Sequence, residues 1–403
     1  MSALNFLRLF RSILSTRAEV DAAAIERMGL LAVKIAQMYA VRSDLLGKEK
    51  CLDLSRLLQR TKPLTTEEFN KRWNELASPA LQQELGALEQ PPLAAASLGQ
   101  VHRATLKDGR KVVIKFAKRE TRDSFLRDVA KFRSMLKLAL IFYPKLERLA
   151  DPIDALETVE RQTLREMDFR CEITGTARLA ALAAEQADSL PHLRKLRFPE
   201  FFPEHSSERL LVSSFVEGRT LNEWLAAGDL PYEALLDLFR IHGYFLFVRG
   251  EFHGDLHPGN IIWKDGEFWF LDNANIESVP PAFGRGLFRM LVLLGQGQFQ
   301  PAADQLAALS LKPLPPERLA AFHSDFAALY QNFAGKTVSE TSLTDQMMRT
   351  VKLAVHSGIT FPRGAFPCIK SLMYLDGMVL RAAPHAKLLQ DVAKFAKDFP
   401  DDG

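Results

Sequence analysis

The stretch FHGDLHPGNIIWKDGEFWFLDNAN, from Phe252 to Asn275, constrains this chain more than any other. Ahead of it, Ala234 to Val248 is strongly apolar and reads as a helix. Asp255 and Asn260 then stand five positions apart in a polar loop. Ile261-Ile262-Trp263 and Phe268-Trp269-Phe270-Leu271 predict two short strands, with Asp265-Gly266 as the hairpin turn between them. Asp272 ends the second strand. A carboxylate and an amide on a loop, with a second carboxylate just past a hairpin, make up the set that phosphoryl transfer needs: a base to orient the acceptor and oxygen ligands for Mg²⁺. The same residues also describe an ordinary polar surface loop beside a hairpin. The rest of the chain separates the two readings.

With 403 residues the chain is long enough for two lobes, or for a large domain with an extension. A hydrophobic content of 47% and a charged content of 25% are those of a folded soluble protein. Fifty-two basic against 49 acidic residues give a net charge of +3, too balanced to call for a nucleic-acid partner. Cys51, Cys171 and Cys368 are odd in number and far apart, which predicts neither a disulfide framework nor a metal cage and points to a reducing, cytoplasmic setting. No run reaches the ~18 apolar residues of a membrane-spanning helix. The start, MSALNFLRLFRSILSTR, differs from a signal peptide because Arg8 and Arg11 interrupt it and no small-residue cleavage site follows. Leu4, Leu7, Phe10, Ile13 and Leu14 share one helical face, flanked by Arg8, Arg11 and Arg17. Such a helix either lies peripherally on the anionic inner face of a membrane or docks on its own protein.

Along the chain, residues 19 to 45 predict one helix carrying Lys34-Ile35-Ala36-Gln37. Two shorter helices follow, one opened by a Thr65/Glu68 capping box and one by Ser78 and Pro79. Residues 1–88 therefore read as an all-helical extension. Beyond Pro91-Pro92, the segment Ala94-Ala95-Ala96-Ser97 leads into a hairpin that turns at Asp108-Gly109. Its second arm holds Lys115 behind Val112-Val113-Ile114, an apolar run in which an ammonium needs a partner. Glu120 to Ala184 is charged and helical and contains Glu166, Asp168 and Glu172; Asp168 and Glu172 fall on one helical face. These three acids are a solvated face unless something basic meets them. Phe198 to Phe202 and Arg209 to Phe215 predict strands, Val216 to Leu221, with Glu217, a hinge, and the remainder helices. His257 reads as a backbone brace.

These segments, in this order, resemble the UbiB/AarF family of atypical kinases. Val-Val-Ile-Lys is similar to the kinase strand whose lysine holds the α- and β-phosphates, and His253-Gly254-Asp255 stands where protein kinases carry His-Arg-Asp. The other markers are Lys34-x-x-Gln37, the alanine segment, Glu166-x-Asp168 with Glu172, and Asp255, Asn260 and Asp272. The resemblance runs from about residue 20 to about residue 300. It implies an α+β, bilobal protein-kinase-like fold with a small β-rich N-lobe (89–216), a helical C-lobe (217–403) and a helical extension over the active-site cleft. It further implies that Lys34 and Gln37 reach that cleft, that Lys34 pairs with Glu166 and Asp168, and that Lys115 pairs with Glu172. Asp255 would be the catalytic aspartate, Asn260 and Asp272 the Mg²⁺ ligands, and Ala94, Ala95, Ala96, Ser97, Lys115 and Glu217 the nucleotide-binding set. The implied cofactors are ATP or ADP with Mg²⁺. The implied role is isoprenoid-quinone (ubiquinone) biosynthesis or related lipid metabolism, with lipid, a quinone precursor or quinone-biosynthesis proteins as partners.

Three features depart from the family pattern. Ala36 stands where the motif usually has glycine. Asp272-Asn273-Ala274 replaces Asp-Phe-Gly, which should cost backbone freedom at Ala274. No Ala-Pro-Glu segment follows Asp272. The alanines bring Cβ atoms to positions where kinases use glycine, which predicts ADP held well and phosphotransfer restrained. Two competing functions fit part of the pattern. One is a small-molecule phosphotransferase of the aminoglycoside or choline kinase type, whose His-Gly-Asp-x-His-x-x-Asn loop His253 to Asn260 matches. The other is a nucleotide-sensing scaffold with little turnover.

Overall fold

A computed structural model of the chain describes residues 21–40, 46, 48–56, 63–95, 98–118, 122–142, 152–333 and 335–399. The N-terminal apolar face from Leu4 to Leu14, and Ala96 and Ser97, lie outside the described residues. The chain forms two compact units, Met1–Ile173 with Pro199–Phe215, and Thr174–Phe198 with Val216–Gly403. The structure divides the chain between Phe215 and Val216, within one residue of the 216/217 boundary read from the sequence, but has no division at 88/89. Residues 21–88 belong to the first unit, and 174–198 belong to the second.

The first unit is built on a five-stranded antiparallel sheet. Gly99–Leu106 and Lys111–Ala117 form its central hairpin, turning at Gly109, whose φ of 89° suits only glycine. Leu210–Ser214 pairs with the lysine-bearing strand; Leu85–Leu88 and Ala94–Ala95 pair with the other. Leu85–Leu88 thus corrects the all-helical reading of residues 1–88, because its backbone groups are satisfied by sheet pairing. On one face Val112, Ile114 and Phe116 bury against Phe69, Leu81 and Val212. The period of two sends Val113 and Lys115 to the other face. Phe201 contributes a single bridge to Ser213 rather than the strand expected at Phe198 to Phe202.

The helices of this unit follow from local signals. Thr65 and Glu68 cap Thr66–Leu76 reciprocally, and Ser78 caps Pro79–Glu84. The single helix expected over 19–45 is instead two, Ala22–Arg27 and Leu30–Ala40, broken where Gly29 adopts φ 103°. Lys48–Arg56 is a further helix that the sequence reading passed over. Leu31, Ile35 and Ala36 share one core with Phe125, Val129 and Phe132 of the Arg122–Phe142 helix and Leu156 and Val159 of the Pro152–Met167 helix. Ala36 is fully buried in it, so its methyl group is part of the packing.

The second unit is helical around one large apolar core, with two small sheets. Tyr232–Gly243 continues into a π-helical turn, Tyr244–Arg249, whose Tyr244, Phe245, Leu246 and Phe247 are all fully buried. Gly250, at φ 67°, ends it and releases the chain into Glu251–His253. Ile261–Lys264 and Glu267–Phe270 form the expected hairpin, extended by Arg219–Thr220 on one side and Leu196–Arg197 on the other. Asp265 (φ 52°) and Gly266 (φ 81°) both take the left-handed conformation that a tight hairpin turn demands. Among the described residues no helix is long and apolar enough to cross a membrane.

Candidate active site

In the first unit, Lys115 leaves the middle of its strand, between Val101 and Leu211 on the neighbouring strands. Its Nζ meets Glu172 Oε2 at 2.8 Å, with both side chains largely buried, and lies 5.2 Å from the centre of the Phe169 ring. Glu172 stands in the first turn of the Arg170–Gln186 helix. A buried cation between a carboxylate and an aromatic face is held as a charge that can be offered to a phosphate.

Lys34 pairs with Glu166, one of the two acids that the family resemblance assigned to it. Asp168 does otherwise. The Pro152–Met167 helix ends before it and a new helix begins at Arg170, so Asp168 and Glu172 do not share a helical face. Asp168 instead accepts a two-pronged contact from the Arg170 guanidinium, 2.8 and 2.7 Å, and the Arg170 N–H at 3.1 Å. That contact holds its carboxyl below the usual carboxylate range despite partial burial. Gln37 lies within the Leu30–Ala40 helix and is half-buried. Ala94 and Ala95 sit in the short strand against Val101 and Gln100, and Glu217 is exposed just beyond Leu210–Ser214.

In the second unit, the polar loop is fixed from its backbone outward. His253 is fully buried. Its Nδ1 accepts the Asp255 N–H at 3.1 Å, which leaves Nε2 to donate to the Leu271 carbonyl at 3.2 Å. Burial depresses the His253 pKa and keeps the ring neutral, as this bonding requires. Gly254 gives its N–H to the Asn275 carbonyl at 2.7 Å, and a Cβ there would come within 2.6 Å of Glu277. His257 braces the loop as expected, Nδ1 accepting the Gly259 N–H at 3.0 Å.

The hairpin then brings the two remaining residues together. Phe270 pairs with Ile261, and one step further the Leu271 N–H donates to the Asn260 carbonyl at 2.8 Å. Asn260 and Asp272 therefore flank the open end of the hairpin. Asn260 commits its Nδ2 to the Asp255 carbonyl at 3.1 Å, so its oxygen is the atom left to act as a ligand. An amide oxygen and a carboxylate are hard donors of the kind Mg²⁺ takes alongside substrate phosphates and water. The two residues fit that ion.

Residues 56–305, more than half of the chain, match the ABC1 atypical kinase-like domain. The chain belongs to the UbiB/AarF family of ABC1 atypical kinases. It is 24% identical over 391 residues to a probable protein kinase UbiB of Aeromonas salmonicida, covering 93% of this chain and 69% of that one. It is 27% identical over 372 residues to a chloroplastic aarF domain-containing protein kinase of Arabidopsis thaliana, covering 90% of this chain and 50% of that one. Among solved structures, Rv3197 of Mycobacterium tuberculosis, in complex with erythromycin, matches with a TM-score of 0.56 at 15% identity, over 98% of this chain and 95% of that one. The fold is kinase-like and α+β.

Within this family frame, the altered Asp272-Asn273-Ala274 segment has a local explanation. The left-handed residue is Asp272, at φ 54°; Ala274 is not in that region, so the expected cost of alanine there does not arise. Aspartate tolerates this conformation better than most residues. Asn273 is fully buried, and its Nδ2 donates to Thr176 Oγ1 at 2.9 Å and to the Phe270 carbonyl at 3.1 Å. Gly175 allows the approach: a Cβ on it would stand 1.9 Å from the Asn273 carbonyl oxygen. Two further residues, unforeseen in the sequence, meet Asp255 itself. Lys370 and Tyr374, on the Ala365–Ala382 helix, contact its carboxylate at 3.0 and 3.2 Å. Partial burial pushes the Asp255 carboxyl upward, but the Lys370 ammonium 3.0 Å away outweighs it and holds the group ionised, well below the usual range. The i, i+4 spacing of Lys370 and Tyr374 was visible, but nothing in it named a partner 115 residues away.

Proposed function

We propose that this chain transfers the γ-phosphoryl group of Mg-ATP, as an atypical kinase or ATPase, in support of isoprenoid-quinone biosynthesis or related lipid metabolism at a membrane. One observation carries the reading: the Leu271–Asn260 hydrogen bond that sets Asn260 and Asp272 side by side, with Asn260 tied to an ionised Asp255. Bound Mg²⁺ would neutralise charge on the phosphates, held by Asn260 and Asp272. Asp255 would orient the acceptor. Lys115, oriented by its contact with Glu172, would meet the phosphates of ATP or ADP, with Ala94 and Ala95 earlier in the same sheet. The quinone or lipid connection rests on the resemblance to the UbiB/AarF family. The proposed membrane contact is peripheral, through the apolar residues Leu4, Leu7, Phe10, Ile13 and Leu14.

The test is ATP hydrolysis by the purified protein with Mg²⁺, with and without anionic liposomes, beside Asp272→Asn. Turnover that rises with liposomes and falls at least about 100-fold in the variant is the expected result. Nucleotide binding with no turnover in either condition would replace this reading with that of a nucleotide-sensing scaffold.

A further inference from the structure

Lys370 and Tyr374 leave the same face of the Ala365–Ala382 helix, one turn apart, and converge on a single atom. Lys370 Nζ donates to Asp255 Oδ1 at 3.0 Å, and the Tyr374 hydroxyl donates to the same oxygen at 3.2 Å. The Lys370 ammonium lies 5.6 Å from the centre of the Tyr374 ring, and His257 meets that ring edge-on at 6.3 Å. The Asp255 main chain is held as well, by His253 at its N–H and by Asn260 at its carbonyl. Among the described residues Oδ2 accepts no hydrogen bond. A carboxylate gripped at one oxygen by two donors cannot turn freely about its terminal bond, so its two oxygens are no longer equivalent. Both donors lie beyond residue 305, where the family match ends.

We propose that Lys370 and Tyr374 are positioning residues that divide the work of the Asp255 carboxylate, with Oδ1 as the anchored oxygen and Oδ2 as the oxygen that faces the acceptor. This rests on the phosphoryl-transfer reading. In that step the acceptor oxygen forms its bond to the γ-phosphorus as the bond to the β,γ-bridging oxygen breaks. The electron pair of the broken bond leaves with ADP, and the acceptor proton passes to Oδ2. Lys370 is 18% exposed and Asp255 40%, and an ion pair that water still reaches contributes little to folding. Its removal is therefore expected to appear in turnover rather than in folding. A free rotor misplaces Oδ2, and misplacement of about 1 Å costs about 100-fold in rate.

The experiment compares steady-state Mg-ATP turnover and calorimetric ATP and ADP binding for the full chain, Lys370→Met, Lys370→Arg and Tyr374→Phe. Lys370→Met is expected to lose about 10- to 100-fold in kcat, with KM and both nucleotide affinities within about twofold of the parent. Lys370→Arg, which can still donate to Oδ1, is expected to recover part of that loss. Tyr374→Phe, which removes only a hydroxyl, is expected to lose about three- to tenfold in kcat. A parent protein that turns over beside an equally active Lys370→Met overturns the assignment and leaves phosphoryl transfer standing. Loss in KM rather than kcat, or no recovery with arginine, also overturns it. A parent that binds Mg-nucleotide without turnover removes both, because Oδ2 then has no proton to take.

Discussion

Lys115 and Asp255 are charges of opposite sign held in opposite ways. Lys115 projects from the middle of a five-stranded sheet, and its position is set by strand register before any side chain contributes. Its acidic partner Glu172 lies 57 residues on, in the first turn of a helix. Asp255 sits on a loop with no ladder to fix it. It depends on a buried histidine beneath, an amide at its carbonyl and two donors 115 and 119 residues further on. Regular structure positions a functional group through many interchangeable backbone bonds. An irregular loop needs particular side chains, each one a point of failure. The first arrangement should tolerate local change, and the second should not.

The largest test of that contrast is Gly175→Ala. Its Cβ would meet the Asn273 backbone at 1.9 Å, so the segment bearing Asp272 must move. A loss of about 3 kcal/mol or more is expected, read as a fall of roughly 6–12 °C in the melting temperature. A variant within about 1 °C of the parent would show this packing to be loose and weaken the contrast. Glu172→Gln probes the other side. It keeps the shape of the side chain but removes the charge facing Lys115 Nζ at 2.8 Å. A cost of about 1–3 kcal/mol by urea unfolding is expected, with the sheet retained by circular dichroism. Loss of the sheet itself would mean that register alone does not hold Lys115. The smallest effect is expected at Ala95→Gly, in the short strand beside Gln100. Removing that Cβ should shift the ratio of ATP to ADP affinity toward ATP by about fivefold, measured by calorimetry. An unchanged ratio would detach the alanine segment from nucleotide choice.

Much of this could be read from the chain because it is local. Alternating apolar residues and the Asp265-Gly266 pair specify the hairpin, and Thr65 with Glu68 specifies a helix start, since each signal acts over a few residues. The Lys115–Glu172 and Lys34–Glu166 pairs were reached through the family resemblance, which supplied the long-range step that spacing lacks. The misreadings also have physical causes. Apolar periodicity across residues 19–45 ran through Gly29, whose φ of 103° breaks the helix. Asp168 and Glu172 looked like one helical face because sequence spacing does not reveal that the helix stops at Met167.

By itself, then, the amino-acid sequence determined the local elements and, with its resemblance, the family and the residues of the candidate site. Tertiary structure alone decided how Asp255 is held. The reason lies in the range of the forces: propensity, capping and turn chemistry act between near neighbours, whereas Lys370 and Tyr374 reach Asp255 only after the apolar core has set their helix against its loop. The same folding placed the left-handed strain at Asp272 and buried Asn273 beside Thr176, a hydrogen bond between residues 97 positions apart.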